Sequence, residues 1–183
     1  MPQNADRSDR HPLDAWVLNT LPRAVRYAQS LLMNSSDADD LVHDCYCRLL
    51  QKSSRYDLAR DGTKLLYRSI TNACIDRARK VQRTVSIHRG DDDESTDHMM
   101  IDTKSETPAA IVARRELNDA IGLALAGLPV EQRAALELKS MGYSLAEIAQ
   151  AIEVSESNAG VLVHRARRAV ADQLKRAFDE ESA

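Results

Sequence analysis

Aromatic residues are scarce in this sequence: they make up 4% of its 183 residues, with one Trp and one Phe. Gly (6) and Pro (5) are also few. Strands favour aromatic and β-branched side chains, whereas the Ala, Leu and Arg that abound here favour helices. With 43% hydrophobic and 29% charged residues, the composition is that of a folded globular chain. It predicts an all-α protein.

Long hydrophobic runs are absent as well. No stretch approaches the roughly 20 apolar residues that span a bilayer, and the first twelve residues, MPQNADRSDRHP, are polar throughout, unlike a signal peptide. We therefore expect a cytoplasmic protein with no membrane insertion.

The sequence has only three cysteines, Cys45, Cys47 and Cys74. An odd count in a chain long enough to build a core predicts reduced thiols rather than a disulfide framework. His43, Cys45 and Cys47 are close in sequence, but helical residues two apart diverge by about 200°, so their side chains do not converge on a metal. We expect no metal and no other cofactor.

Charge is unevenly distributed along the chain. Residues 11–90 hold 13 basic and 8 acidic side chains, whereas residues 91–108 hold 1 and 7. Apolar periodicity also stops in the second segment, which predicts a flexible acidic linker. At no more than ~3.5 Å per residue it could reach roughly 60 Å. Two small helical domains, 11–90 and 109–180, are thus predicted on either side.

Three helices are expected in the first domain. Apolar residues recur at helical spacing from Leu13 to Leu32, with Pro12 suited to a first turn and Pro22 expected to break or kink the helix. Ser36 is the predicted cap of a second helix whose first turn is acidic. A polar loop, Ser53–Thr63, then precedes a third helix with a basic far end.

The second domain has the order of a helix-turn-helix. Thr107-Pro108 predicts a helix start, and Ser144 with Glu147 matches the capping box. A short helix, Leu145–Ala151, is followed by the turn Ile152–Ser155 and a basic helix of roughly twenty residues. Leu145, Ile148 and Ala149 would face the core, and Val154 with Val161 or Leu162 would close the corner.

The start of that last helix is the predicted DNA-reading site. Ser155, Ser157 and Asn158 would lie where amides, the helix dipole and short polar side chains can meet phosphates and base edges. Arg165, Arg167 and Arg168 would contact the DNA backbone. The alternative is an ordinary helical hairpin with a solvated basic face.

Three segments in order resemble one family. DADDLVHDCYCRLL, LLYRSITNACIDRARK and, after an acidic linker, GLPVEQRAALELKSMGYSLAEIAQAIEVSESNAGVLVHRARR look like a bacterial RNA polymerase sigma factor of the extracytoplasmic-function (ECF) type, in the sigma-70 family. The resemblance covers roughly residues 12–178. It implies a non-enzymatic protein that binds core RNA polymerase and directs it to promoters, with no catalytic residue of its own.

The resemblance assigns the second helix to the coiled coil of the polymerase β′ subunit. Exposed carboxylates beside an apolar edge suit a basic helical partner; first-turn dipole stabilisation is a compatible role for the same acids. The residues implied are Asp39, Asp40, Leu41, Val42, Asp44, Tyr46 and Leu49.

The third helix is implied to approach the −10 promoter element. The family motif N-x-x-x-D-R falls on Asn72, Asp76 and Arg77, while Arg79 and Lys80 would continue a basic track. Asp76 could instead be a structural partner of Arg77. Tyr56, in the loop Ser53–Thr63, could stack on an extruded base.

This chain departs from the family pattern in two places. Thr63-Lys64 stands where an aromatic residue, often Trp, usually precedes the leucine, which puts melting through that position in question. In the reading helix Gly160 and Leu162 replace the usual Lys and Arg, and Glu153 replaces the turn glycine. We expect weaker or shifted contact with the −35 element.

Other partners are implied as well. The second domain would contact the −35 element and the polymerase β flap, an anti-sigma factor could restrain the protein, and the linker would occupy the RNA channel or simply act as a tether. The main alternative is a stand-alone dimeric helix-turn-helix regulator that binds an operator.

Overall fold

A computed structural model describes residues 12–85 and 108–180 of the chain. These two ranges contain seven α-helices and no strand, which confirms the all-α prediction. The helices are α1 (Pro12–Leu32), α2 (Ser35–Gln51), α3 (Leu58–Val85), α4 (Pro108–Ala126), α5 (Val130–Ser140), α6 (Leu145–Ile152) and α7 (Glu156–Glu180). The acidic linker predicted at 91–108 lies outside the described residues except for Pro108, which begins α4.

The N-terminal half packs α1, α2 and α3 pairwise against one another. Val42 of α2 and Leu66 and Ile70 of α3 are fully buried between them. The Tyr27 hydroxyl, buried on α1, shares a hydrogen bond of 2.7 Å with Thr71 on α3, so the phenol keeps a partner away from water.

Three local predictions in this half are corrected. α1 continues through Pro22 instead of ending there. The cap of α2 is Asn34, whose side chain accepts from the Asp37 amide at 2.9 Å, and not Ser36, which lies inside the helix. The predicted loop Ser53–Thr63 is shorter, because α3 already begins at Leu58.

In the C-terminal half the predicted helix-turn-helix is present. Ser144 and Glu147 form the complete capping box at the start of α6. The C-cap of α6 is Glu153, which adopts the left-handed conformation with φ 61° and ψ 46°. For residues other than Gly and Asn this backbone conformation is unfavourable in free energy. Here it is adopted by a glutamate.

The two halves pack against each other through α5 and α6, which lie on α1 and α3. Their buried apolar side chains belong to one contiguous core. Tyr67 of α3 and Tyr143, just before α6, meet edge to face with ring centroids 6.0 Å apart, a favoured aromatic geometry. The predicted units are therefore in direct contact.

The cysteines are free thiols: Cys45 and Cys74 are buried and Cys47 is exposed. Burial raises the pKa of Cys74 to about 12, which makes its thiolate scarce at neutral pH. Among the described helices, none combines the length and apolarity needed to cross a membrane.

Candidate functional site

The exposed side of α2 carries three carboxylates: Asp39, Asp40 and Asp44, here called the acidic α2 face. Leu41 is half-buried beside them. Asp44 makes a long ion pair of 3.7 Å with Arg48, and both side chains stay about two-thirds exposed (66% and 64%). Such exposed pairs contribute little to stability, so this face remains open to a basic partner.

Three other residues that the resemblance assigned to polymerase binding lie in the core. Val42, Tyr46 and Leu49 are buried. The Tyr46 ring meets Trp16 edge to face at 5.4 Å, and its hydroxyl shares a 2.7 Å hydrogen bond with Thr20. They face inward because apolar residues at helical spacing pack on α1 and α3. These three side chains therefore anchor α2 in the core and do not form a surface for a partner.

On α3, Arg77 pairs with Asp37 in the first turn of α2, and Asp76 is exposed. The alternative in which Asp76 and Arg77 pair with each other is therefore corrected. Consecutive helical residues do not face each other, whereas Asp37 lies opposite Arg77 on the neighbouring helix.

A second set of α3 side chains points to the C-terminal half. The set, called the α3 polar stripe, occupies one face of the helix and comprises Lys64, Arg68, Asn72 and Arg79. Opposite it stand three carboxylates, called the acid row: Glu131 on α5, Glu147 on α6 and Glu153 in the turn.

Four contacts join the stripe to the row. Lys64 Nζ lies 2.7 Å from Glu147 Oε1, and Asn72 Nδ2 donates to Glu153 Oε1 at 2.9 Å. Arg79 lies 3.4 Å from Glu131 Oε1, and Arg68 lies 4.0 Å from Glu153 Oε1. Asn72 and Arg79, two of the predicted −10 residues, are thus engaged by the other half of the protein.

The start of α3 is built against the single tryptophan. Trp16 Nε1 donates to Thr63 Oγ1 at 3.2 Å, and a Cβ at Gly62 would come within 2.9 Å of the indole ring. The indole thus lies beside Thr63-Lys64, where the family usually carries an aromatic side chain. Tyr56 is 44% exposed in the loop before α3.

The start of α7 presents the predicted DNA-reading residues. Ser157 and Asn158 are exposed, while Ser155 accepts from the Asn158 amide at 3.2 Å and so caps the helix. Arg165 and Arg167 are exposed, and Arg168 lies 3.9 Å from Asp172. Of the two predicted corner residues, Leu162 packs on the core and Val161 is exposed.

Arg133 on α5 is a residue that the sequence reasoning missed. It is 5% exposed, and its guanidinium donates to four carbonyl oxygens: Ser30 (2.9 Å), Leu31 (3.2 Å), Ala126 (3.1 Å) and Leu128 (2.9 Å). The first two belong to the last turn of α1 and the third to the last residue of α4, where carbonyls lack helical partners and the dipole is negative. Leu128 lies in the connection between α4 and α5. One buried cation thus joins the halves.

A sequence signal for Arg133 does exist. It occupies an inward position of α5 together with Ala134 and Leu138. A charged residue in such an apolar register is rarely fully buried unless it is paired. Burial lowers the pKa of Arg133, and nearby Glu137 partly offsets this effect.

Comparisons with known proteins agree with these features. Residues 16–84 match the family model described as Sigma-70 region 2, and residues 118–170 match Sigma-70, region 4. The chain is 31% identical over 169 residues to the ECF RNA polymerase sigma factor SigM of Mycobacterium tuberculosis, covering 91% of this chain and 79% of SigM. It is 26% identical over 148 residues to the ECF sigma factor SigW of Bacillus subtilis, covering 79% of each.

A solved structure supports the fold. The sigma factor RpoE of Bartonella quintana, in a co-crystal with the anti-sigma factor NepR, matches with a TM-score of 0.66 and 22% identity. The match covers 89% of this chain and 96% of that one.

The helix-turn-helix and the matched regions define a sigma-type transcription initiation protein. The chain belongs to the ECF RNA polymerase sigma factors of the sigma-70 family. It binds core RNA polymerase and promoter DNA and directs transcription initiation at promoters. The family match does not favour the alternative, a stand-alone dimeric operator-binding regulator.

Proposed function

We propose that the acidic α2 face docks on the basic β′ coiled coil of core RNA polymerase. The observation that carries this proposal is the exposure of Asp39, Asp40 and Asp44 on a helix whose opposite side is anchored in the core. Exposed like charges steer a basic partner and contribute to its specificity. Leu41 supplies the apolar edge; Val42, Tyr46 and Leu49 hold the helix in place behind it.

The promoter contacts are divided between the halves in this proposal. Within the unit 11–90, the face of α3 with Asn72, Asp76, Arg77, Arg79 and Lys80 meets the −10 element, and exposed Tyr56 is placed to stack on a base. Within the unit 109–180, the start of α7 meets the −35 element through Ser157 and Asn158. Arg165, Arg167 and Arg168 contact its phosphates, Ser155 caps the helix, and the unit also contacts the β flap.

The setting follows from the partners. The protein works in the cytoplasm, where polymerase and chromosome are, and we assign it no catalytic step of its own. The RpoE structure is a complex with an anti-sigma factor, and we extend that class of partner to this chain.

Charge reversal tests the docking assignment. Asp39→Lys with Asp40→Lys should lower affinity for bacterial core RNA polymerase by at least tenfold, on the order of 1.4 kcal/mol or more, and leave the helical fold intact because both side chains are exposed. Glu116→Lys with Asp119→Lys makes the same charge change on an exposed part of α4 and serves as the matched control. Comigration with core enzyme on size exclusion is the readout, and retained affinity in the α2 variant would refute the assignment.

A further inference from the structure

The solvent-facing side of α7 carries an apolar residue within the surface proposed to contact the −35 element. α7 turns Ala159, Val163 and Ala166 towards the core, where all three are buried. Val161 lies on the opposite side of the helix and is 41% exposed. The residues one turn away from it are exposed and polar: Ser157, Asn158 and Arg165. An exposed valine thus lies among the side chains proposed to bind DNA.

The neighbouring residue, Gly160, is a glycine that the packing of the protein does not require. Glycine inside a helix lowers its stability relative to alanine. A Cβ built on Gly160 would meet Leu145 Cδ1 at 3.7 Å, an ordinary van der Waals distance, and the backbone here does not have a positive φ. Alanine would therefore fit. The close approach of another molecule to the helix would explain the glycine.

Together Gly160 and Val161 present an apolar surface to the DNA. Lys, which the family usually has in place of Gly160, reads guanine through its O6 and N7 atoms, and glycine has no group that can do so. The apolar group on the major-groove edge of a base pair is the 5-methyl group of thymine, which side chains recognise by apolar contact. The chemistry of this surface therefore fits thymine.

We propose that Val161 recognises the methyl group of a thymine in the −35 element, and that Gly160 lets that base approach closely enough for the contact. This inference rests on the proposed −35 role of α7 and names the base feature that its surface reads. Base preference at this position comes from an apolar contact, while Arg165 and Arg168 bind the phosphates and hold the helix in the groove.

The contact is small, but it is sufficient to select a base. Burial of one methyl group against an apolar surface favours binding about fourfold. Cytosine lacks the methyl group and presents an amino donor in the major groove, for which Val161 has no acceptor. Thymine should therefore be preferred over cytosine by at least this factor.

The test removes the methyl group from the DNA and the apolar side chain from the protein. A duplex library with random positions through the −35 and −10 regions is amplified with dTTP or with dUTP, so that the two libraries differ only in the 5-methyl group. Full-length protein together with bacterial core RNA polymerase selects the bound duplexes, and sequencing gives the enrichment of each base at each position. The test variant is Val161→Ser, and Val112→Ser makes the same change at an exposed valine of α4.

With the wild-type protein we expect one −35 position at which thymine is enriched at least fourfold over cytosine in the dTTP library. In the dUTP library this enrichment should fall about fourfold. For Val161→Ser the two libraries should give the same enrichment at that position, whereas Val112→Ser should behave like the wild type. A −35 preference that does not depend on the methyl group, or a methyl effect that persists in Val161→Ser, would overturn the proposal.

Gly160→Ala tests the close approach separately from the fold. Alanine is the better helix former, so the thermal midpoint of the variant should rise by about 2 to 4 °C. The added methyl group should hold the base away from Val161 and lower the enrichment of the −35 thymine about fourfold. A purely structural role for Gly160 would not produce a more stable protein with a weaker base preference. A variant that kept the wild-type preference would refute the role given to Gly160.

The same selections distinguish a failure of this inference from a failure of the proposed function. Enrichment at −10 positions without any enrichment at −35 positions, in every variant, would show that α7 does not read the −35 element. A clear −35 preference that is the same in both libraries would leave the role of α7 intact and refute the reading of a methyl group by Val161.

Discussion

The acidic α2 face and the α3 polar stripe are both charged surfaces of the N-terminal half, yet they differ in their surroundings. Asp39 and Asp40 are exposed, whereas Lys64, Asn72 and Arg79 each contact a carboxylate of the C-terminal half. A partner can reach the first surface at once. The second already has partners within the chain.

The largest expected effect comes from the buried cation that holds the halves. Arg133→Ala should lower the free energy of unfolding by about 3 kcal/mol, because four carbonyls, in buried and part-buried hydrogen bonds, lose their donor. Arg115→Ala, on an exposed part of α4, should change it by less than about 0.5 kcal/mol. Urea unfolding at neutral pH measures both variants. Equal effects would show that the hydrogen bonds of Arg133 between the halves do not stabilise the fold.

The next prediction concerns Glu137, where a substitution should raise the free energy of unfolding rather than lower it. Burial raises the pKa of its carboxyl, although hydrogen bonding to Ser30 and the charge of Arg133 lower it in part. A raised pKa in the folded state means that its stabilising contribution is present at low pH and is lost as pH rises through that value. Glu137→Gln should therefore be more stable than wild type at pH 7 and equal to it near pH 4.

Parallel denaturation curves at the two pH values would measure this effect. A variant less stable than wild type at pH 7 would show that the ionised carboxylate stabilises the interface through Arg133.

Much of the fold could be predicted from local sequence. Helical periodicity, Pro108 and the Ser144–Glu147 capping box gave the helices of the C-terminal half because each signal acts within one or two turns. The prediction of a break at Pro22 was wrong, because α1 continues past the proline. The prediction of Ser36 as the cap of α2 was also wrong, because Asn34 caps this helix.

The site was only partly predictable for a related reason. The exposed carboxylates of α2 follow from helical phase, whereas Val42 and Leu49, assigned by the resemblance to polymerase binding, are buried. The pairing of Asn72 with Glu153 joins residues 81 positions apart, and the carbonyls bound by Arg133 lie up to 103 positions away. Local periodicity carries no information about such pairs.

Glu153→Gly should separate the backbone strain at this position from the contacts that its carboxylate makes. Glycine relieves the left-handed strain, worth about 1 kcal/mol, while the variant loses exposed contacts worth about 0.2 to 1 kcal/mol. We therefore expect the free energy of unfolding to rise by about 0.5 kcal/mol. Thermal unfolding measures this change, and a variant less stable than wild type would show that the contacts outweigh the strain.

The smallest effect should come from pH acting on the Lys64–Glu147 pair. The Lys64 side chain, together with the Ser144 amide and hydroxyl, holds the pKa of Glu147 at about 2, and Glu147 raises the pKa of Lys64. The contribution of Glu147 to stability is present above its unfolded pKa of about 4.3 and is lost as pH falls towards 2. The contribution of Lys64 is present below its unfolded pKa of about 10.4 and is lost as pH rises beyond that value.

Between about pH 5 and 10 this pair should therefore stay intact and respond to salt alone. Glu147→Gln should lower the free energy of unfolding equally at pH 6 and at pH 9, and by less at high salt than at low salt. Urea unfolding measures these differences, and an effect that changed between the two pH values would mean that another titratable group controls the pair.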